Sequence, residues 1–200
     1  MEILYRVHNG LYVNLTNRCS CSCTFCLRQA MDRIGESDRL WLEREPTAQE
    51  VIEEFGKWDL SGFSEVVFCG FGEPTCALPV LLEAAAWVKN NSDLPVRVNT
   101  NGQGDLIAGR DISDDLAACI DTVSISLNHP DPAKYQSLVR SQYGDEAFPA
   151  MLSFARHCAE KGIHVVMTTV DTTITHDEEA RCLELCKTIG AQYRIRPWES

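Results

Sequence analysis

The strand-forming runs of this chain are two-faced, and that pattern limits the available folds more than any other feature. Strand-like runs at Leu11–Leu15, Glu65–Cys69, Val96–Thr100, Thr122–Leu127, His164–Val170 and Gln192–Arg196 recur with helix-forming stretches between them. Such alternation builds a parallel sheet. Within the runs, Val123, Ile125 and Leu127 oppose Ser124, Ser126 and Asn128, and Val96 and Val98 oppose Arg97 and Asn99. Tyr193 and Ile195 oppose Arg194 and Arg196, and Leu11, Val13 and Leu15 oppose Tyr12, Asn14 and Thr16. A parallel sheet covered by helices on both faces is apolar throughout, and a closed eight-stranded barrel fills its lumen with Val, Ile and Leu. One polar face implies a sheet curved around a wet cavity. The pattern predicts an α/β fold, a partial (β/α)6 barrel of parallel strands with an open polar lumen.

Local signals fill in the rest. Ile3–Val7 is predicted to pair beside the first strand across Asn9-Gly10. Thr47-x-x-Glu50 is a capping box opening a helix to about Trp58, and Thr175-x-x-Glu178 opens another that ends before Gly190. Further helices are predicted over Leu78–Lys89, shortly before Asp121, and from Glu146 to Lys161. A chain of 200 residues is enough for one well-buried core, so residues 1–200 are expected to form a single domain. The charged, poorly periodic segment Met31–Arg44 reads as a solvated connection held by Trp41, with a lid as the alternative.

Between the first strand and that segment lies Cys19-Ser-Cys21-Ser-Cys23-Thr-Phe25-Cys26, part of a total of ten cysteines. No apolar run approaches the roughly 18 residues of a membrane span. The start, Met1-Glu2-Ile3, lacks the layout of a signal peptide. A cytoplasmic protein without a membrane partner is expected, and clustered thiols there favour metal or redox chemistry over disulfides. The net charge of −11 argues against a general nucleic-acid binder. Cys19, Cys23 and Cys26 stand at the spacing C-x3-C-x2-C. Soft thiolates suit iron, and three on one loop can hold three corners of a cubane cluster. An electron carrier gives every iron a cysteine, whereas three ligands leave one iron open to a small molecule. Cys21 is assigned no role. As a fourth ligand it would make the protein a non-catalytic iron–sulfur electron carrier or redox sensor, and a structural zinc site is a third alternative.

Cys19-x3-Cys23-x-Phe25-Cys26 resembles the cluster motif of the radical S-adenosylmethionine (SAM) superfamily, and Tyr12-Val-Asn-Leu-Thr-Asn-Arg-Cys19 is most similar to the TatD-associated radical SAM proteins. The resemblance implies the partial barrel, with a 4Fe-4S cluster on Cys19, Cys23 and Cys26. It also implies SAM on the open iron, cleaved to a 5′-deoxyadenosyl radical that takes hydrogen from a substrate not identified by any motif. Phe71-Gly72-Glu73-Pro74 resembles the superfamily's Gly-Gly-Glu-Pro motif, with Phe71 at the first position. By that resemblance the Gly72 backbone and Glu73 accept the methionyl ammonium, and Phe25 packs near the adenine. Asn99, Ser126 and Asn128 meet the ribose hydroxyls or the methionyl carboxylate. A reductant such as flavodoxin or ferredoxin, and a TatD-family hydrolase as partner, are implied in the same way.

The residues also carry readings of their own. Gly70 and Gly72 permit close approaches that a side chain would block. Polar residues at the carboxyl ends of parallel strands bind ligands in α/β folds, and they also serve turns and caps. The fifth strand lacks a Gly-x-Ile-x-Gly pattern, so Thr168 and Thr169 are given no role. Arg194 and Arg196 are expected to face the lumen, where they bind an anionic substrate or pair with an acid such as Glu73. Cys158 lies on a helical stripe with Met151, Phe154 and Ala155, and Cys182 and Cys186 lie on another with Leu183 and Ile189, which reads as packing. Of the five histidines, His129 lies nearest the expected site.

Overall fold

Seven strands cross one sheet in chain order: β1 (Leu4–Val7), β2 (Gly10–Val13), β3 (Glu65–Phe68), β4 (Val96–Thr100), β5 (Thr122–Ser126), β6 (His164–Val170) and β7 (Gln192–Arg196). The computed structural model describes residues 2–34 and 37–197. β1 pairs antiparallel with β2, and every later neighbour is parallel. The sheet is not closed, since β1 and β7 are its edges. This is the expected partial barrel, six parallel strands plus one antiparallel edge. Because β2 to β7 run the same way, all their carboxyl ends meet at one end of the barrel, where ligands of α/β folds bind.

The helices are α1 (Ala48–Phe55), α2 (Leu78–Asn91), α3 (Gly104–Ala108), α4 (Ser113–Ala117), α5 (Pro132–Val139), α6 (Ala147–Glu160) and α7 (His176–Ile189). Both predicted capping boxes form, with each Thr accepting from the backbone three residues on and each Glu side chain reaching back. α1 stops at Phe55, short of Trp58, where Gly56 caps it. α3 and α5 were not predicted. α5 opens on an Asp131 side chain that accepts from the Lys134 backbone, followed by Pro132 in the first turn. The hairpin also differs by one position. Val7 pairs with Gly10, so the turn is His8-Asn9, with His8 at φ 51°.

The strand alternation sets the layers. Leu11, Val13, Phe68, Val98, Val123, Ile125 and Met167 join the helices in the main core. Cys158, Cys182 and Cys186 are wholly buried within it, but Leu183 is 41% exposed and is not part of that stripe. On the lumen face a second small core forms from Tyr5, Leu40 and Phe71, with Trp41 packed edge-on to Phe71 at 5.3 Å. Part of the segment expected to be a solvated connection is therefore docked: Leu40 and Leu42 are buried, and Leu40 joins the small core on the β1–β2 side of the lumen. The polar part of the lumen lies toward β4–β7.

Candidate functional site

The site starts where β2 ends, and polar side chains there hold its frame. Asn14 Nδ2 donates to the Leu40 carbonyl at 2.7 Å, and Asn17 both donates to Leu42 O and accepts from Leu42 N. Arg18 forks onto Glu45, which also accepts from Thr16, and donates to the Cys76 carbonyl at 2.6 Å. These bonds pin residues 40–45 and the Cys76 turn to the root of the cysteine loop.

The loop itself is tied down from below. Ser22 N donates to Val139 O and Thr24 N to Leu138 O, while Cys21 and Ser141 form a bridge. Cys21 is 3% exposed, and its Sγ accepts from Gln103 Nε2 at 3.2 Å and Asn101 Nδ2 at 3.5 Å. Gln103 is fully buried, and its other contacts are the hydroxyls of Ser20, Ser141 and Tyr135. A hydrogen bond from Cys19 pulls the Cys21 thiol down, but one to Cys23 and burial outweigh it and leave it at about 12. Cys19, Cys23 and Cys26 are half-buried, and each lines the cavity described below, whereas Cys21 does not.

β3 delivers the Gly-rich turn. A Cβ on Gly70 would stand 2.2 Å from Asn14 Oδ1, and one on Gly72 would stand 2.2 Å from the Thr16 carbonyl. The close approach is real, and its partner is the cysteine-loop root. Glu73 N then donates to the Arg18 carbonyl at 2.7 Å. The Glu73 carboxylate is 3% exposed and is held entirely by neutral donors. Thr75 N, Thr75 Oγ1 and Thr100 Oγ1 bond Oε1, and Asn101 N bonds Oε2 at 2.7 Å. Burial raises its pKa against the pull of those bonds. No cation pairs with it among the described residues, so its ion pair with Arg194 or Arg196 does not form.

Two adjoining lobes open at the carboxyl end of the barrel. The outer one, about 280 Å³, lies between Cys23, Phe25, Arg28, Phe71, Val170 and Pro197. The inner one, about 220 Å³, holds Cys19, Gly72, Glu73, Asn99, Ser124 and Arg194. Cys26, Cys69, Ser126 and Arg196 border both. The fold thus gathers Cys19, Cys23, Cys26, Phe25, Gly72, Glu73, Asn99 and Ser126 around one space. Asn99 Oδ1 is already occupied by Arg97 at 2.7 Å. Asn128 is not brought into either lobe. It takes a left-handed φ of 60° and lines a separate cleft on Phe25 with Thr24 and Leu138. The positive φ turns its side chain off the alternation that the sequence suggested. Thr168 faces the inner lobe, while Thr169 bonds the Tyr193 hydroxyl at 2.6 Å behind the sheet. His129 is also elsewhere, held between Asp131 N and Glu178. Thr100 and Asn101, which grip Glu73, escaped the sequence reading, although both sit in the Asn99-Thr-Asn-Gly102 turn that it singled out.

The thiols suit a cluster better than a single ion. Tetrahedral zinc, with sulfur at about 2.3 Å, draws its thiolates to about 4 Å apart. Among the described residues the only group of three metal-binding side chains within 4.8 Å of one another is Asp105, Asp111 and His157, and no cysteine trio is that close. Three thiols of one loop border the cavity, and the fourth thiol there, Cys69, comes from the end of β3 rather than from the loop; the loop trio is the donor pattern of a cluster with an open iron. No helix among the described residues is long and apolar enough to cross a membrane.

A profile described as the Radical SAM superfamily matches residues 13–187. Among solved structures, SuiB of Streptococcus suis bound to its precursor peptide SuiA superposes with a TM-score of 0.71 at 18% identity, covering 96% of this chain and 39% of SuiB. The same enzyme bound to S-adenosylmethionine gives 0.70 at 17% identity over 96% of this chain and 43% of that one. A radical SAM methyltransferase from Sphaerobacter thermophilus gives 0.65 at 17% identity over 97% and 57%. The chain thus spans from 39% to 57% of the length of these structures. No curated protein matches the sequence.

Proposed function

The chain belongs to the radical SAM superfamily, a family of enzymes that use a 4Fe-4S cluster and SAM, and on that premise we propose that Cys19, Cys23 and Cys26 hold the cluster and that the two-lobed cavity takes SAM and a substrate. The observation that carries this reading is the pairing, around one cavity, of three half-buried thiols of one loop with the buried carboxylate of Glu73, which pairs with no cation among the described residues. When bound, the cluster supplies the electron that cleaves SAM to a 5′-deoxyadenosyl radical, which then takes hydrogen from the substrate.

The chain's own residues bind and orient. Cys19, Cys23 and Cys26 give three sulfurs and leave the fourth iron to SAM. Glu73, aimed by Thr75, Thr100 and Asn101, accepts the methionyl ammonium, whose positive charge offsets the cost of burying the carboxylate. Gly72 keeps that turn against the loop root, so the ammonium site and the cluster site move as one unit. Phe25 offers a ring to the adenine from the outer lobe, and Ser126 and Asn99 offer polar groups to the ribose or the methionyl carboxylate. Asn128 contributes by backing Phe25. Cys21 bonds to Gln103 as a strut under the loop, which favours the enzyme over a carrier with Cys21 as fourth ligand. The Tyr12–Cys19 wording supports membership of the TatD-associated group, with a TatD-family hydrolase as partner and flavodoxin or ferredoxin as reductant; one sheet over one main core supports residues 1–200 acting as one domain, and the clustered free thiols support the cytoplasm.

Anaerobic reconstitution with iron and sulfide, then reduction in the presence of SAM, tests the reading. 5′-Deoxyadenosine is expected from the wild type and from Cys21→Ala, and not from Cys19→Ala, Cys23→Ala or Cys26→Ala. A stable cluster that yields no 5′-deoxyadenosine and is lost in Cys21→Ala would overturn it in favour of an electron carrier.

A further inference from the structure

We infer that Arg194 and Arg196 form an oxyanion receptor in the barrel lumen, and that the substrate of the chemistry proposed above, on which this inference rests, carries a carboxylate or phosphate held there. The argument begins with charge. The chain has a net charge of −11, yet the side chains bordering the two lobes include three arginines and a single acid, Glu73. Glu73 is held by Thr75, Thr100 and Asn101 and pairs with no arginine among the described residues. Arg28 is spent on the carbonyls of Asn17 and Phe71.

The contrast within the lumen is with Arg97. That guanidinium is matched by a two-pronged bond to Glu65, at 2.6 and 2.9 Å. Arg194 and Arg196 have no carboxylate partner among the described residues. The Arg196 Nε is buried with no hydrogen-bond partner among the described residues, a state that costs a charged donor more than a neutral one. Burial, then the charges of Arg97 and Arg196, depress the pKa of Arg194, so three cations crowd one wall with one counterion between them. The two forks are residues i and i+2 of β7, on one face and about 7 Å apart along the strand. Arginine forks match planar or tetrahedral oxyanions through paired N–H donors. Thr168, opposite Arg194 in the β6–β7 ladder, adds a hydroxyl beside them.

The test is calorimetric titration of the reconstituted protein with inorganic phosphate, with succinate and with SAM, in the wild type, Arg194→Gln, Arg196→Gln and a distant control, Arg110→Gln. The wild type and the control are expected to bind phosphate or succinate, and each lumen variant to lose about tenfold or more in affinity. Arg196→Lys keeps the charge and loses the fork, and is expected to fall between; thermal melts check that every variant folds. The stronger of phosphate and succinate names the anion. Binding of neither by the wild type, or equal binding by the variants, overturns the receptor. Weakened SAM binding with no phosphate or succinate binding also overturns it, since the forks would then serve the methionyl carboxylate. Anion binding lost in the variants, in a protein that forms no 5′-deoxyadenosine, upholds the receptor and sinks the radical reading. 5′-Deoxyadenosine without anion binding sinks the receptor alone.

Discussion

Two cysteine pairs in this protein share one spacing and differ in everything around them. Cys19 and Cys23 are four apart on a loop, half-buried, with sulfurs at the border of a cavity. Cys182 and Cys186 are four apart on α7 and wholly buried in the main core. On a helix that spacing makes one inward stripe, and a thiol there packs as a small apolar group. On a loop leaving a parallel strand it turns sulfur toward the end of the barrel where ligands bind. Here the backbone beneath the spacing is neither helix nor strand, and polar partners, the buried Gln103 and the half-buried Asn101, hold the Ser20 and Cys21 side chains between the first two thiols.

The sharpest way to break this contrast is by single alanine substitutions. Cys19→Ala, Cys23→Ala and Cys26→Ala are expected to lose nearly all cluster iron and its visible absorbance, while Cys182→Ala and Cys186→Ala keep both. Cys21→Ala is expected to keep its iron but to destabilise the protein by about 1–3 kcal/mol in urea unfolding, because it strips a buried Gln103 donor of its acceptor. Cys182→Ala leaves a small void in the core and is expected to cost about 1 kcal/mol by the same measurement. Alkylation compares the pairs chemically. Burial pushes Cys182 to about 12 and Cys186 to about 11, so at pH 8 iodoacetamide should modify them only after unfolding; rapid labelling of folded protein would show that α7 does not shield them.

The smallest expected effect concerns how α7 is seated. A hydrogen bond from Lys134, then the Thr175 backbone, holds Glu178 at about 2 against an ordinary 4.5. A lowered carboxylate pKa stabilises above the ordinary value and stops doing so as pH falls to the lowered one. Hydrogen exchange in the first turn of α7 should therefore quicken between pH 4.5 and about 2, after correction for intrinsic rates. Glu178→Gln should flatten that dependence without affecting cluster content.

The parts legible from sequence were those set by short-range pattern. Strand alternation gave the polar lumen, and Thr47-x-x-Glu50 and Thr175-x-x-Glu178 gave helix starts, because each signal lies within a few residues. The contacts that were missed span long separations. Leu40 and Leu42 sit in a charged segment with no periodicity, and their burial depends on Asn14 and Asn17, 26 and 25 residues earlier. Thr100 and Asn101 look like turn residues until β4 sets them beside Glu73, 27 and 28 residues away. Asn128 lies off the two lobes for the opposite reason: the strand alternation does not extend past Ser126, where the strand ends and the backbone turns left-handed.

The central claim is that three loop cysteines leave an iron open to SAM. Electron paramagnetic resonance of the reduced, reconstituted protein, recorded with and without SAM, tests it directly. The account predicts that SAM shifts the signal of the reduced cluster in the wild type and in Cys21→Ala alike. A spectrum unchanged by saturating SAM would mean that all four irons are already ligated by the protein, and would contradict it.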